Sequence, residues 1–307
     1  YILDENGNKK VVETIGTEYK GATAFRDPDG NAIPSEKVPT LVIPKGVKTL
    51  SDEAFKECTS LKSISLPESL SSIGNSCFYD CAALVKVIDN SSIVRLPGNC
   101  FNGCRSLNEM DLSKYGYLSI GCFGRTGFTS VDLTNCYYVG QYCFQTCSKL
   151  EKIKLRQEGV YFGDVAFETC HSLTSVDLSF YTGSTIPRAC FKGCENLKHV
   201  EMYKSRTDAN SLTNMEGMFY DCKDLISIDF STLKYMNSKN YNSMFSGCTD
   251  LKAINLANSN VGFAMYSTNN MFDNVNSLEY INLKGITYAI NGNYNWPKMI
   301  KQFLLES

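Results

Sequence analysis

The chain has only two histidines and one tryptophan in 307 residues. So few imidazoles leave little room for histidine-based acid–base or metal chemistry, and no nucleophile elbow, H-E-x-x-H pair, P-loop or G-x-G-x-x-G loop is present. His171 lies beside a cysteine, and His199 stands two residues before Glu201, where it reads as an exposed polar group. Catalysis is not expected, and neither is a cofactor or a metal. Apolar runs are also short: none approaches the ~20 residues needed to cross a bilayer. Charge of one sign is lacking, with 30 basic against 32 acidic residues and a formal net charge of −2. Without a Lys/Arg-rich run to follow a phosphate backbone, nucleic acid is not an expected partner.

What is abundant is phenylalanine and cysteine in a fixed relation. Ten phenylalanines, Phe55, Phe78, Phe101, Phe123, Phe144, Phe167, Phe191, Phe219, Phe245 and Phe272, recur about 21 to 28 residues apart. That spacing is within or near the period of leucine-rich-repeat solenoids. A small or sulphur-bearing residue usually precedes each, a cysteine follows three positions later, and a leucine six positions later. After the leucine comes L-x-x-I/V-x-L, as in Leu61-Lys-Ser-Ile64-Ser-Leu66 and Leu173-Thr-Ser-Val176-Asp-Leu178. Its period-2 ending turns Ile64 and Leu66 inward and Ser63 and Ser65 outward.

One such strand cannot bury its own apolar face, but strands stacked in parallel at ~4.8 Å per turn enclose a continuous core. The expected fold class is therefore an α/β solenoid: a leucine-rich repeat superhelix with a parallel sheet on its concave face. About ten to eleven turns are expected, counting a degenerate first strand at Val38 to Ile43, with short helical or irregular turns opposite. Residues 1–37 are read as an N-terminal cap with a hairpin around Asn6-Gly7, residues 38–284 as the solenoid, and residues 285–307 as a C-terminal cap. A helix capped by Asn295, with Pro297 in its first turn, is expected in that last segment. The longer late periods predict bulkier connections from about Met202 onward.

Fourteen cysteines fill mainly two slots. Eight lie three after the phenylalanine, five precede it directly, and Cys136 occupies an apolar slot of its own. If the segment makes a helical turn, the two main slots share a face. Buried packing is the favoured reading, because Ala54, Ala166, Met218, Met244 and Met271 occupy the same slot as Cys77 and Cys100, so the site wants volume. Disulfides between adjacent turns and a zinc site are the alternatives.

The unit Ala54-Phe55-x-x-Cys58-x-x-Leu61-x-x-Ile64-x-Leu66-Pro67 resembles the repeat of BspA-type leucine-rich proteins, a bacterial surface class also called Treponema-type. The later Met218-Phe219, Met244-Phe245 and Met271-Phe272 units resemble a sister version of it. The resemblance implies an extracellular or bacterial cell-surface protein, whose signal or anchor lies outside this chain, in a family that includes adhesins. It carries over no active site.

The expected function is thus non-enzymatic: adhesion or interaction through a repeat-built surface that binds a host or bacterial protein, with carbohydrate binding or glycan capture as the alternative. Two surfaces are candidates. The outward strand column carries Asp111, Asp132, Asp177, Glu201 and Asp229, and repulsion between Asp111 and Asp132 is expected to raise at least one pKa. Tyrosines just after the strands form the second, with Tyr137, Tyr181 and Tyr203 the most outward. Two departures from the repeat stand out. Phe128 replaces a leucine one position early, and Asp89 falls where an inward leucine belongs. A slipped or bulged strand that turns Ile88 inward is the favoured account, over a buried Asp89 with partners.

Overall fold

A computed structural model describes residues 2–3, 9–10, 13–16, 25–26, 32–33, 39–157, 159–179, 187–202, 214–231, 235–236, 240–255, 257, 260–261, 269–282 and 284. The chain divides into two compact units, Tyr1–Cys147 and Ser148–Ser307. Counted over both, the parallel coils make a β-solenoid of about nine turns. The expected C-terminal helix lies outside the described residues.

In the first unit the expected strands are present. Thr40–Val42, Ser63–Leu66 and Lys86–Asp89 form a parallel sheet, with Leu41, Ile64 and Val87 in register. A second parallel ladder accompanies it, which the repeat pattern left unassigned. Thr49–Leu50 pairs with Thr14–Ile15 and Ser72–Ile73, and Tyr117–Leu118 pairs with Arg95–Leu96 and Tyr138–Val139. Each of these strands is two residues long because only one residue faces the core: Leu50, Ile73, Leu96, Leu118 and Val139, each five before its phenylalanine, are buried. Ile2–Leu3 pairs antiparallel with Lys9–Lys10, and the Asn6-Gly7 turn expected between them lies outside the described residues.

The segment around each phenylalanine is a turn, and among the described residues none is helical. The reason is local. Residues two before and two after each phenylalanine take positive φ, as at Glu53 and Glu57, Ser76 and Asp80, and Asn99 and Gly103. Left-handed residues four apart cannot belong to one right-handed helical turn. The N–H groups of Glu53, Phe55 and Glu57 instead donate to the carbonyls of Asn75, Cys77 and Tyr79 on the next turn, at 2.9, 2.8 and 2.7 Å. Backbone groups that a helix would satisfy internally are satisfied between coils. Of the helical or irregular turns expected opposite the sheet, the described residues show the irregular kind, this hydrogen-bonded corner, without a shared helical face, so the class shown is a β-solenoid.

The core of the first unit is a column of rings. Phe55, Phe78, Phe101, Phe123 and Phe144 stack with centroids 5.1 to 5.6 Å apart and planes within 15°. Phe128 is buried and meets Phe123 edge-on at 5.6 Å, so the shortened repeat keeps its apolar anchor.

The second unit repeats the scheme. Ser175–Asp177 pairs with His199–Glu201, and Ser227–Asp229 pairs with Ala253–Asn255, which pairs with Tyr280–Asn282, all in parallel. Phe167, Phe191, Phe219, Phe245 and Phe272 stack at 5.7 to 6.2 Å.

All fourteen cysteines are free and buried. Those three after the phenylalanine do more than fill volume: the thiols of Cys81, Cys104 and Cys147 donate to the carbonyl oxygens of Phe55, Phe78 and Phe123, one turn back, at 3.0 to 3.1 Å. In the second unit Cys194, Cys222 and Cys248 do the same to Phe167, Phe191 and Phe219 at 3.0 to 3.2 Å.

Candidate functional site

The acidic column has a local structural role. Asp111 Oδ1 accepts a hydrogen bond from the N–H of Ser113 at 2.9 Å, Asp132 from Thr134 at 3.0 Å, Asp177 from Ser179 at 2.8 Å and Asp229 from Ser231 at 2.7 Å. Asn255 and Asn282 bond the N–H groups of Ala257 and Lys284 in the same way. Each is an Asx turn that bends the chain away at the strand end. The signal was in the sequence as Asp-Leu-Ser and Asp-Leu-Thr, where a two-residue offset places the carboxylate beside the next free N–H.

These bonds decide the electrostatics. Ser113, through its side chain and its backbone, holds the Asp111 carboxyl below its ordinary value of 3.8, and the opposing effect of Asp132 does not reverse this. The rise expected of at least one of Asp111 and Asp132 is thus not found at Asp111. Burial pushes Asp229 up, but the hydrogen bonds from Ser231 and Asn255 prevail and its pKa is lowered. Glu201 is exposed and sits in register with Asp177.

Asp89 is the largest local departure. The strand neither slips nor bulges: Lys86, Val87, Ile88 and Asp89 stay in register with Ser63, Ile64, Ser65 and Leu66. Asp89 points inward with its side chain only 4 % exposed, and Lys114 Nζ lies 2.7 Å from its Oδ2. The Tyr115 hydroxyl donates to Oδ2, and the Ser91 N–H donates to Oδ1 at 2.9 Å. The favoured slip is corrected in favour of the alternative, because a full set of partners offsets the cost of burying the charge. Lys114 is fully engaged, donating also to the carbonyls of Asp89 and Ser91 at 3.2 and 3.0 Å.

Beyond Asp89 the ladder is interrupted, and the next turn joins it through a single bridge, Lys86 to Glu109. Met110, at the inward slot where Ile64 and Val87 are buried, is only half-buried. A groove of about 330 Å³ opens there, lined by Lys86, Val87, Ile88, Asp89, Glu109, Met110, Asp111 and Lys114. Lys86 pairs with Glu109 at 3.1 Å, which leaves Asp111 as the lining carboxylate outside an ion pair. The outward column that ends at Asp111 begins apolar: Val42 is 66 % and Ile88 43 % exposed, in register across Ser65. The acidic column marked Asp111 but not Ile88, Lys86, Glu109 or Lys114; the one hint of the groove was a carboxylate in a leucine slot.

Among the tyrosines, Tyr115 is fully buried, whereas Tyr137 is exposed and Tyr117 and Tyr138 are half-buried. Tyr181 and Tyr203 lie outside the described residues. Among the described residues no group of three or more His, Cys, Asp or Glu is placed to hold a metal ion. No helix there is long and apolar enough to cross a membrane.

Parallel coils, inward apolar residues on two ladders of short strands and a central phenylalanine column in each unit define a leucine-rich-repeat solenoid. Comparison with known families agrees: the model of the BspA type leucine rich repeat region matches in six copies, over residues 31–135, 116–239 and 184–295. The chain belongs to that family. A leucine-rich repeat protein from Bacteroides ovatus is similar at 20% identity with a TM-score of 0.57, covering 81% of this chain and 69% of its own. The pneumococcal vaccine antigen PcpA is similar at 15% identity with a TM-score of 0.50, covering 100% of this chain and 80% of its own. At these identities the likeness speaks for the fold. A search of curated proteins finds no match.

Proposed function

We propose that this chain is a non-enzymatic, extracellular or cell-surface interaction protein that binds a host or bacterial protein through the outward face of its repeats. The observation that carries the reading is the graded column of the first unit. Exposed Val42 and Ile88 lead to the groove at Met110 and end on Asp111. Apolar anchors beside a carboxylate suit a partner segment that presents an aliphatic residue next to a lysine or arginine. Membership of a repeat family built as a scaffold rather than around a catalytic centre supports the same reading. Asp132, in the same unit, would extend the polar rim.

The test is capture of purified host matrix and bacterial surface proteins by the wild-type chain, repeated with Ile88→Asp and Asp111→Asn. A partner bound by the wild type and lost, in a salt-sensitive manner, by both variants supports the reading. Unchanged binding by both variants, with circular dichroism intact, overturns it.

A further inference from the structure

The second ladder of the first unit presents a patch that the repeat does not require. Arg95, Tyr117 and Tyr138 occupy the same outward position on three successive strands. Tyr117 and Tyr138 stack with centroids 4.2 Å apart and planes 3° from parallel. On its other face Tyr117 carries the Arg95 guanidinium, whose central carbon is 4.0 Å from the ring centroid. Beside this column runs a second, Val94, Gly116 and Tyr137, linked by N–H to carbonyl bonds of 2.9 Å at each step. A Cβ at Gly116 would come within 2.7 Å of Tyr137 Cε1. The missing side chain therefore lets the Tyr137 ring lie down over the backbone, at 62° to Tyr117 and 47 % exposed.

Five cations of this unit, Lys48, Lys56, Lys86, Lys114 and Arg125, each have a carboxylate within 4 Å: Glu13, Glu53, Glu109, Asp89 and Asp80. Among the described residues Arg95 has none, as is true of Lys45, Lys62 and Arg105, but of these four it is Arg95 whose cation lies over an aromatic ring. Its side chain is exposed, its guanidinium is held against the Tyr117 ring, and its N–H fork is left for an outside acceptor. A guanidinium positioned by a ring is preorganised for bidentate capture of a carboxylate.

We propose that this patch binds a carboxylated sugar, Arg95 taking the carboxylate and Tyr137 carrying the apolar face of the pyranose ring. Three features favour a sugar over an acidic peptide. One cation calls for one carboxylate, and a run of Asp or Glu would bring further charges with no partner. The patch spans two ladder steps of ~4.8 Å, the scale of one or two sugar rings rather than of an extended peptide. Tyr137 offers an open ring beside the guanidinium, whereas both faces of Tyr117 are covered. The patch shares no residue with the Asp111 groove, so it stands or falls independently of the protein-binding surface.

Calorimetric titration tests this with sialic-acid-terminated and glucuronic-acid-terminated trisaccharides, their neutral parents and a hexaglutamate peptide. At least one carboxylated sugar is expected to bind saturably, about tenfold or more tightly than its neutral parent. Arg95→Gln should erase that preference, Arg95→Lys should restore part of it, and Tyr137→Ala should weaken binding about tenfold. Asp111→Asn should leave it unchanged. Absence of saturable binding by both carboxylated sugars, equal binding by Arg95→Gln, or tighter binding of hexaglutamate would each overturn the proposal. Both side chains are exposed, and circular dichroism of each variant separates lost binding from lost fold.

Discussion

The Cys81 thiol donates to the carbonyl oxygen of Phe55, one turn back in the stack, at 3.0 Å. The same bond recurs in both units and gives the cysteine slot a chemical purpose, since it supplies a second donor to a buried phenylalanine carbonyl that already accepts the N–H three residues on in its own turn. Thr126, which replaces cysteine at this slot, bonds the carbonyl of Phe123 in its own turn instead, at 2.9 Å.

If the donor matters beyond volume, Cys104→Val should be less stable than wild type even though it fills the space. The Phe78 carbonyl keeps the Cys81 N–H, so losing the second bond costs about 0.5–1 kcal/mol. Cys104→Ala should lose about 1 kcal/mol more, through the cavity it leaves. Urea midpoints of the two variants check this, and a Cys104→Val protein as stable as wild type would reduce the slot to packing.

The thiols also set an alkaline limit. Burial pushes Cys147 up to about 11 and Cys194 and Cys248 up to about 12, from an ordinary 9.0. A group whose folded pKa is raised contributes stability that is complete below the unfolded value and is lost as pH rises through the folded one. Denaturation midpoints should therefore hold to about pH 9 and fall steadily between there and pH 12. At pH 8 a thiol reagent should label the native protein slowly and the denatured protein at all fourteen cysteines.

The phenylalanine, the leucine and the L-x-x-I/V-x-L strand were legible because each is a core position filled by one residue type in nearly every turn. The second ladder was not, because a strand with one inward residue has no period to show. Its trace is the aliphatic residue five before each phenylalanine, as at Leu96 and Leu118. The corner conformation was harder still: Glu57, Arg125, Thr146 and Val165 stand at positive φ beside Gly103 and Gly247, so composition at those slots hides the left-handed backbone that excludes a helix. At the candidate site, Asp111 and Tyr137 were visible as outward residues. Arg95 was not, because its importance lies in meeting the Tyr117 ring and no carboxylate among the described residues, which depends on how the turns stack.

Positive φ at an ordinary side chain is a reserve of stability. Glu57 is exposed with φ 62, and its counterpart two turns on is Gly103, φ 80. Glu57→Gly is expected to stabilise by about 0.5–1 kcal/mol, since the relief of left-handed strain exceeds the added chain entropy. Gly103→Ala should do the reverse, because its Cβ would fall 1.8 Å from Asp80 Oδ1. Thermal midpoints moving the other way in the pair would refute the backbone account of the corner.

Asp111 tests the Asx turn against the neighbouring charge. Its carboxyl is held below 3.8 by Ser113 and pushed upward by Asp132. Carbon-detected titration should show a midpoint under 3.8 in the wild type, higher in Ser113→Ala and lower in Asp132→Asn. Because the folded value is depressed, this contribution is present at neutral pH and lost as pH falls through it. A wild-type midpoint above 3.8 would restore repulsion as the governing effect.

The buried pair beside the groove gives the sharpest test of why this turn departs from the repeat. Lys114→Met strands Asp89, which is nearly inaccessible to water, with the Tyr115 hydroxyl and the Ser91 N–H as the remaining partners of its carboxylate among the described residues. Removing one member of a buried pair costs about 3–5 kcal/mol, and the 27 % exposure of Lys114 places the expected loss toward or below the low end. Asp89→Leu restores the residue type that Leu66 holds in the same register, so the variant Asp89→Leu/Lys114→Met/Tyr115→Phe, which also removes the buried hydroxyl that would lose its acceptor, should recover most of the loss. If the pair serves the groove rather than the core, that recovered protein will fold as well as wild type yet lose partner binding, because Lys114 and Asp89 both line the opening. Recovery of stability with binding intact would assign the pair to packing alone and leave Ile88 and Asp111 as the carriers of the surface.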